Sequence, residues 1–199
     1  MLFDTKNCHD FQLKDAEVSY YPKFFDLESS NQFFNQLRHQ TPWQQDDIKV
    51  FGKWYKQPRL TALYAENNTP YSYSNITMHP TPFSGLLYEI KEQVEQTSKV
   101  RFTTCLLNLY RHGQDSNGWH SDDEKELGVN PIIASVSFGA SRSFHMKHKT
   151  DKTQKLKLTL EHGSLLMMKG PTQHYWLHQV PKTKKAVKER INLTFRIIN

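Results

Sequence analysis

Polar and apolar residues alternate without a break along Arg190-Ile191-Asn192-Leu193-Thr194-Phe195-Arg196. In an extended strand, Arg190, Asn192, Thr194 and Arg196 share one face, and Ile191, Leu193 and Phe195 share the other. Short apolar runs predict further strands over Phe102 to Tyr110, Ile132 to Phe138, Ser143 to His148, Lys155 to Leu160 and Ser164 to Met168, and the terminal strand extends to Ile198. Turns are expected at His112-Gly113, Gly139-Ala140 and His162-Gly163. The first half has a different period. Phe33, Phe34 and Leu37 form a helical stripe over Leu27 to His39, with Ser29 or Ser30 as cap and Thr41-Pro42-Trp43 as stop. A second helix is expected to start at Thr81-Pro82, with Thr81 as cap and Pro82 at the first helical position, burying Leu86, Leu87, Ile90 and Val94. Residues 1–25 alternate weakly and read as a loosely packed arm or edge strand, and Asp46 to Tyr73 reads as strand and loop. Helices followed by six or more strands indicate an α+β domain built on an antiparallel double sheet.

Length and composition narrow this picture. A chain of 199 residues fits one domain with a substantial core, and no repeat, linker or low-complexity tract divides it. No apolar run approaches the roughly 20 residues of a membrane span, and the start lacks the layout of a signal peptide. Two cysteines exclude a disulfide framework and a cysteine-based zinc site, and suit a reducing intracellular compartment. The net charge of +6 is unevenly placed: from Arg142 onward there are 13 Lys+Arg against 3 Asp+Glu, so the preceding 141 residues are net acidic. A basic half beside aromatic-rich loops suits a polyanion, above all nucleic acid; a solvated basic face is the plainer reading.

Candidate chemistry centres on Trp119-His120-Ser121-Asp122-Asp123-Glu124. His120 and Asp122 are two apart, so an extended segment presents an imidazole and a carboxylate on one face. These are two of the three ligands of a 2-His-1-carboxylate facial triad, which holds Fe(II) and leaves positions open. His-x-Asp alone is weak. The third ligand must be a later histidine: His174 and His178 compete, and His178 is favoured because it lies one hairpin's length before Arg190. The polar face of the terminal strand carries two guanidiniums and no carboxylate, which suits a small dianion. Asn108 and Tyr110 can add an amide and a phenol to the same anion.

His120-x-Asp122, His178 and Arg190-x-Asn192-x-Thr194-x-Arg196, with Asn108-Leu109-Tyr110 upstream, resemble the AlkB family of Fe(II)/2-oxoglutarate dioxygenases, in particular the branch containing human AlkB homologues two and three. The similarity extends over about Val50 to Ile198. It implies a double-stranded β-helix (jelly-roll) core over 99–199, preceded by an N-terminal arm, helices and a nucleotide-recognition lid over 1–98, as one continuous catalytic domain. It also implies Fe(II) on His120, Asp122 and His178, and O2 as a second cosubstrate. The far carboxylate of 2-oxoglutarate would lie on Arg190, Asn108 and Tyr110, with Asn192, Thr194 and Arg196 nearer the metal. Asp123 and Glu124 would contact the damaged base, Tyr71 and Tyr73 would line its pocket, and Phe51 would fill the gap that the extruded base leaves in a duplex. Lys53, Arg59, Arg142 and the loop from Lys147 to Lys152 are candidates for phosphate contact.

The expected function is therefore repair of alkylated DNA, such as 1-methyladenine and 3-methylcytosine in duplexes, by a monomer without membrane attachment. The compartment would be the cytoplasm or nucleoid of a bacterium or the nucleus of a eukaryote. An oxygenase of the same fold acting on RNA, protein or a small molecule, and a non-catalytic nucleic-acid-binding domain, are the alternatives.

Overall fold

A computed structural model describes residues 8–50, 52–67, 71–73, 76–83 and 85–198. Two strands open the chain, β1 (His9–Leu13) and β2 (Ala16–Tyr21), before helix α1 (Leu27–Gln40). A second group follows: β3 (Asp47–Val50), β4 (Lys53–Lys56), β5 (Leu60–Ala65), β6 (Tyr71–Tyr73), β7 (Ile76–Met78) and β8 (Thr81–Pro82), ending in helix α2 (Gly85–Ser98). The second half is strand-rich: β9 (Thr104–Tyr110), β10 (Asn117–His120), β11 (Ile133–Gly139), β12 (Arg142–His148), β13 (Lys155–Leu160) and β14 (Ser164–Lys169). A one-turn helix α3 (Thr172–Tyr175) leads into β15 (Trp176–Val180), and β16 (Arg190–Arg196) closes the chain.

The strands form an eight-stranded sheet in the order β1-β2-β14-β11-β16-β9-β5-β8 and a four-stranded sheet in the order β10-β15-β12-β13. Two further hairpins, β3-β4 and β6-β7, stand apart from both and occupy the part of the chain expected to form a lid. Pairing is antiparallel except between β5 and β8. β16 lies inside the large sheet, with Asn192 opposite Asn108 on β9 and Ser137 on β11. Its alternation then sorts residues between two interiors. Ile191, Leu193 and Phe195 join a core with Phe33, Leu37, Ile90, Val94 and Phe138, beneath the two helices. Its polar face looks into the space between the sheets, which Phe144, Met146, Leu158, Leu160 and Trp176 of the small sheet help to fill.

Three local expectations are corrected or resolved. Asp26, not Ser29 or Ser30, caps α1: its carboxylate accepts the Ser29 N–H at 2.7 Å, and Ser30 is already inside the helix and buried. Thr81-Pro82 does not start α2 but forms the edge strand of the large sheet, where a residue without an N–H is tolerated, and the helix begins three residues later at Gly85. From Cys8 on, the edge strand rather than the loose arm is what the N-terminal stretch forms. β2 pairs with β14 and buries Val18 and Tyr20, while β1 is the edge strand beside it. The large sheet thus draws strands from both sides of residue 98. No helix among the described residues is long and apolar enough to cross a membrane.

Phe33 meets Phe25 and Phe138 edge to face at 5.3 and 5.7 Å, which couples α1 to the strand beside β16. Phe33→Ala should lower unfolding free energy by about 3–5 kcal/mol. Denaturant titration measures this, and a loss below about 1 kcal/mol would mean that α1 is not anchored through this ring.

Candidate metal and anion site

β10 and β15 pair so that His120 stands directly opposite His178, with ring centroids 4.2 Å apart. Asp122 falls past the end of β10, in a loop rather than on the strand. It reaches the histidines because Gln173 Oε1, buried in α3, accepts the Asp122 N–H at 3.0 Å. One ligand atom from each of His120, Asp122 and His178 lies within 4.8 Å of the others. His120 Nδ1 is 2.7 Å from the Gly118 carbonyl, which can only accept, so Nδ1 carries the proton and Nε2 presents its lone pair. Asn117 Nδ2 lies 3.1 Å from that Nε2. His174 points elsewhere: its Nε2 accepts the Asn130 N–H at 3.3 Å.

The electrostatics suit a cation. Burial lowers the His120 imidazole below its ordinary value and pushes His178 down to about 3, so both are neutral donors. Burial alone would raise the Asp122 carboxyl, but the charge and hydrogen bond of the Arg196 guanidinium hold it low. Arg196 Nη2 donates to Asp122 Oδ1 at 2.6 Å, leaving Oδ2 facing His178 at 3.9 Å. Two neutral imidazoles and one ionised carboxylate converging on one face fit Fe(II).

Beside them is a cavity lined by Asn108, Tyr110, Phe144, Arg190, Asn192, Thr194 and Arg196 among others. Arg190 is 1% exposed; its Nη2 donates to Ser137 Oγ at 2.8 Å, but Nε and Nη1 are buried without a hydrogen-bond partner among the described residues. Burial lowers its pKa to about 10, so it stays charged at neutral pH. A buried guanidinium with two unused donors is costly, about 1–3 kcal/mol per unmet group, and a carboxylate would satisfy both. The residues present therefore fit a small dianion such as 2-oxoglutarate. Asn192 and Thr194 line the cavity but spend their donors within the protein: Asn192 Nδ2 on Ser135 Oγ and the Val136 carbonyl, Thr194 Oγ1 on Asn192 Oδ1.

The expected DNA contacts divide. Arg59 is not a surface cation. It is buried, with Nε on Asn108 Oδ1 at 2.7 Å and Nη1 on the Ser116 carbonyl. That contact occupies the amide oxygen and leaves Asn108 Nδ2 as its remaining donor. Arg142 is also buried, holding the carbonyls of His112, Asp115 and Pro181. Asp123 pairs with Lys149 at 3.0 Å, whereas Glu124 Oε2 is buried with no hydrogen-bond partner among the described residues. Burial, opposed by a backbone N–H, raises the Glu124 carboxyl above its usual range. Lys53 is exposed on β4. Tyr71 and Tyr73 lie on β6, with side chains outside the described structure. Phe51 lies outside the described residues. Sequence reasoning missed Gln173 and the real role of Arg59, because their partners lie 51 and 49 residues away and leave no local pattern; it also missed Asn117, whose partner His120 is three residues on at a spacing that marks nothing by itself.

Comparison with known proteins agrees with this geometry. Residues 17–196 match the family described as the 2OG-Fe(II) oxygenase superfamily. Alpha-ketoglutarate-dependent dioxygenase alkB homolog 3 of Homo sapiens is 41% identical over 214 residues, covering 99% of this chain and 72% of that protein. The Bos taurus protein of the same name is 45% identical over 92% of this chain, which spans 66% of its length. DNA oxidative demethylase ALKBH2 of Homo sapiens is 41% identical over 158 residues, covering 76% of this chain and 60% of that protein. The solved structure of OsALKBH1 shares the fold, with a TM-score of 0.65 at 15% identity, covering 95% of this chain and all of the other.

Two outcomes follow from the geometry. His178→Ala should abolish Mn(II) or Co(II) binding by calorimetry, while His174→Ala retains it; the reverse result would reassign the third ligand. Arg59→Ala should weaken 2-oxoglutarate roughly tenfold, the scale of one charge-assisted hydrogen bond, and leave the salt dependence of DNA binding unchanged. A flattened salt dependence with intact 2-oxoglutarate binding would return Arg59 to the DNA face.

Proposed function

This chain belongs to the 2OG-Fe(II) oxygenase superfamily and, within it, to the AlkB homologues, and from that premise we propose that it repairs N-alkylated DNA by oxidative demethylation. The observation that carries the reading is the convergence of His120, Asp122 and His178 within 4.8 Å, beside a buried Arg190 with two unused donors. When bound there, Fe(II), 2-oxoglutarate and O2 together supply the oxidation of an N-methyl carbon that then leaves as formaldehyde, with succinate and CO2 as the other products.

The protein's own part is binding, orientation and shielding. His120 and His178 offer neutral imidazoles, and Asp122 contributes the one negative charge, steadied by Arg196. Arg190 receives the far carboxylate of 2-oxoglutarate, with Asn108 and Tyr110 beside it. Phe144, Leu160 and Met168 wall the cavity and exclude bulk water. A base methylated at 1-methyladenine or 3-methylcytosine is cationic, and the two acids after the ligand suit it. Glu124 is the better candidate of the two because its oxygen is not already held by a lysine. Tyr71 and Tyr73 on β6 would line the base pocket, and Phe51 would act as a duplex wedge with exposed Lys53 near phosphate. One chain supplies every ligand and clamp residue, which supports a monomer. Acting on DNA puts the protein in the compartment that holds it.

Formaldehyde and succinate released from matched single- and double-stranded oligonucleotides carrying one 1-methyladenine test the reading. Both products should appear in equal amounts. Arg190→Ala should raise KM for 2-oxoglutarate ten- to hundredfold, corresponding to about 1.5–3 kcal/mol for a charge-assisted contact. Phe51→Ala should reduce duplex repair more than single-strand repair. Succinate without DNA-derived formaldehyde would point to another substrate, and neither product to a binding domain.

A further inference from the structure

Three acids stand in a row from Asp122 to Glu124, and each has a different partner. Arg196 Nη2 holds Asp122 Oδ1 at 2.6 Å, and Lys149 Nζ holds Asp123 Oδ2 at 3.0 Å. Glu124 makes no ion pair among the described residues, and its buried Oε2 has no hydrogen-bond partner among them. Two of the three negative charges are therefore met by a neighbouring cation, and one is left over.

Lys149 is not a loose surface cation. It directly follows β12, and its N–H donates to the Tyr175 carbonyl at 2.7 Å, which ties its backbone to α3. Its ammonium donates a second bond, to the Gln173 carbonyl at 3.0 Å, and its side chain is only 28% exposed. Gln173 is fixed in turn. It is buried, its Oε1 accepts the Asp122 N–H, and its Nε2 donates to Met168 Sδ at 3.6 Å. The same short helix thus grips the acidic run twice, at Asp122 directly and at Asp123 by way of Lys149. An exposed ion pair between two free side chains contributes little. Here two bonds to backbone carbonyls already place the ammonium, so the carboxylate meets a donor in a set position and less rotamer freedom is lost in pairing.

The leftover charge matters because of what methylation does to a base. Adenine N1 and cytosine N3 carry a lone pair, so a methyl group there adds a positive charge. At uracil N3 the methyl group replaces a proton, and the base stays neutral. Selection between the two classes is a difference of affinities, and it depends on how many carboxylates beside the base lack a cation of their own. We propose that Lys149 is a positioning residue for base selection: by holding Asp123 it leaves Glu124 as the single uncompensated acid, so that one negative charge meets one positive charge. The inference rests on the DNA reading above and on Glu124 as the acid that meets the base. It replaces the expectation that Lys149 contacts phosphate, since the ammonium is already engaged by a carboxylate and a carbonyl.

The test uses the full chain with 2-oxoglutarate and with Mn(II) in place of iron, so that nothing turns over. Fluorescence anisotropy gives Kd for two single-stranded oligonucleotides that differ only in carrying 3-methylcytosine or 3-methyluracil. Their ratio cancels contacts to sugar and phosphate. Lys149→Met should raise the preference for 3-methylcytosine about fivefold, the scale of one unit charge acting at about 4 Å with water-like screening. Lys149→Arg should keep the wild-type ratio. So should Lys149→Met/Asp123→Asn, which removes the freed carboxylate. An unchanged ratio in Lys149→Met overturns the proposal, including the case in which both oligonucleotides weaken equally, as a lost phosphate contact or a loosened loop requires. A raised ratio that persists in the double variant overturns it too. Should Lys149→Met fail to fold, Asp123→Asn decides alone: it leaves the ammonium without its carboxylate and should lower the preference by a similar factor, and an unchanged ratio there is fatal. Failure of the DNA reading shows differently, as wild-type protein that binds neither methylated oligonucleotide better than its unmethylated counterpart.

Discussion

The ion pair between Arg196 and Asp122 joins the last strand of the large sheet to the loop that carries the carboxylate of the candidate metal site. Both partners are buried, so neither charge has water to fall back on, and removing one from such a pair typically costs 3–5 kcal/mol. The pair also assigns the carboxylate's two oxygens, one to Arg196 and the other toward His178. Arg196 is fixed by the pairing of β16 with β9, and the histidines are fixed by the pairing of β10 with β15. The two sheets, already packed through the side chains between them, are therefore also tied together at one carboxylate. Gln173 provides the second restraint from α3, holding the backbone of Asp122 where the strand has already ended.

A polar interior of this kind is unfavourable by itself. Arg59, Arg190, Arg196, Asn108, Asn192, Thr194 and Asp122 are all nearly excluded from solvent. Their desolvation is offset on the opposite face of the same strands, where Ile191, Leu193 and Phe195 meet the aromatic cluster of Phe25, Phe33 and Phe138 under α1. The apolar half of each strand anchors what the polar half preorganises. Arg190 is less well matched, since two of its donors find no acceptor among the described residues. A stored deficit of that sort favours a ligand that repairs it over one that merely fits the volume.

How much of this can be read in the sequence depends on whether a relation is local. The alternation of Arg190 to Arg196 is local, with a period that only a strand satisfies, and β16 has those bounds. The facing of His120 and His178 was reachable because the spacing to Arg190 limited the choice between two histidines. Arg59 was not reachable. An arginine after Pro58 looks like a surface cation, and only its bond to Asn108, 49 residues away, shows it inside. Gln173 is hidden for the same reason, since its partner is 51 residues away. Thr81-Pro82 misled in a different way, because proline suits the first turn of a helix and the edge of a sheet equally well. The paired hairpins β3-β4 and β6-β7 fall where strand and loop were expected, and the core strands match closely at their ends.

The basic second half of the chain resolves into two populations with different physics. Arg142, Arg190 and Arg196 are buried, and the other ten cations from Arg142 onward are lysines, none of them buried. Guanidinium is weakly hydrated and presents a planar fork, so it can be carried into a dry site and matched to a carboxylate. Ammonium is strongly hydrated and stays at the surface, where its attraction for an anion is screened over about 8–10 Å at physiological salt. One net charge therefore conceals two populations. The guanidiniums are committed to the interior, where Arg142 holds backbone carbonyls, Arg196 holds Asp122 and Arg190 faces the cavity. The ammoniums stay in solvent. Separating arginine from lysine in the count, rather than summing them, distinguishes the charges that build the site from those that set the field around the molecule.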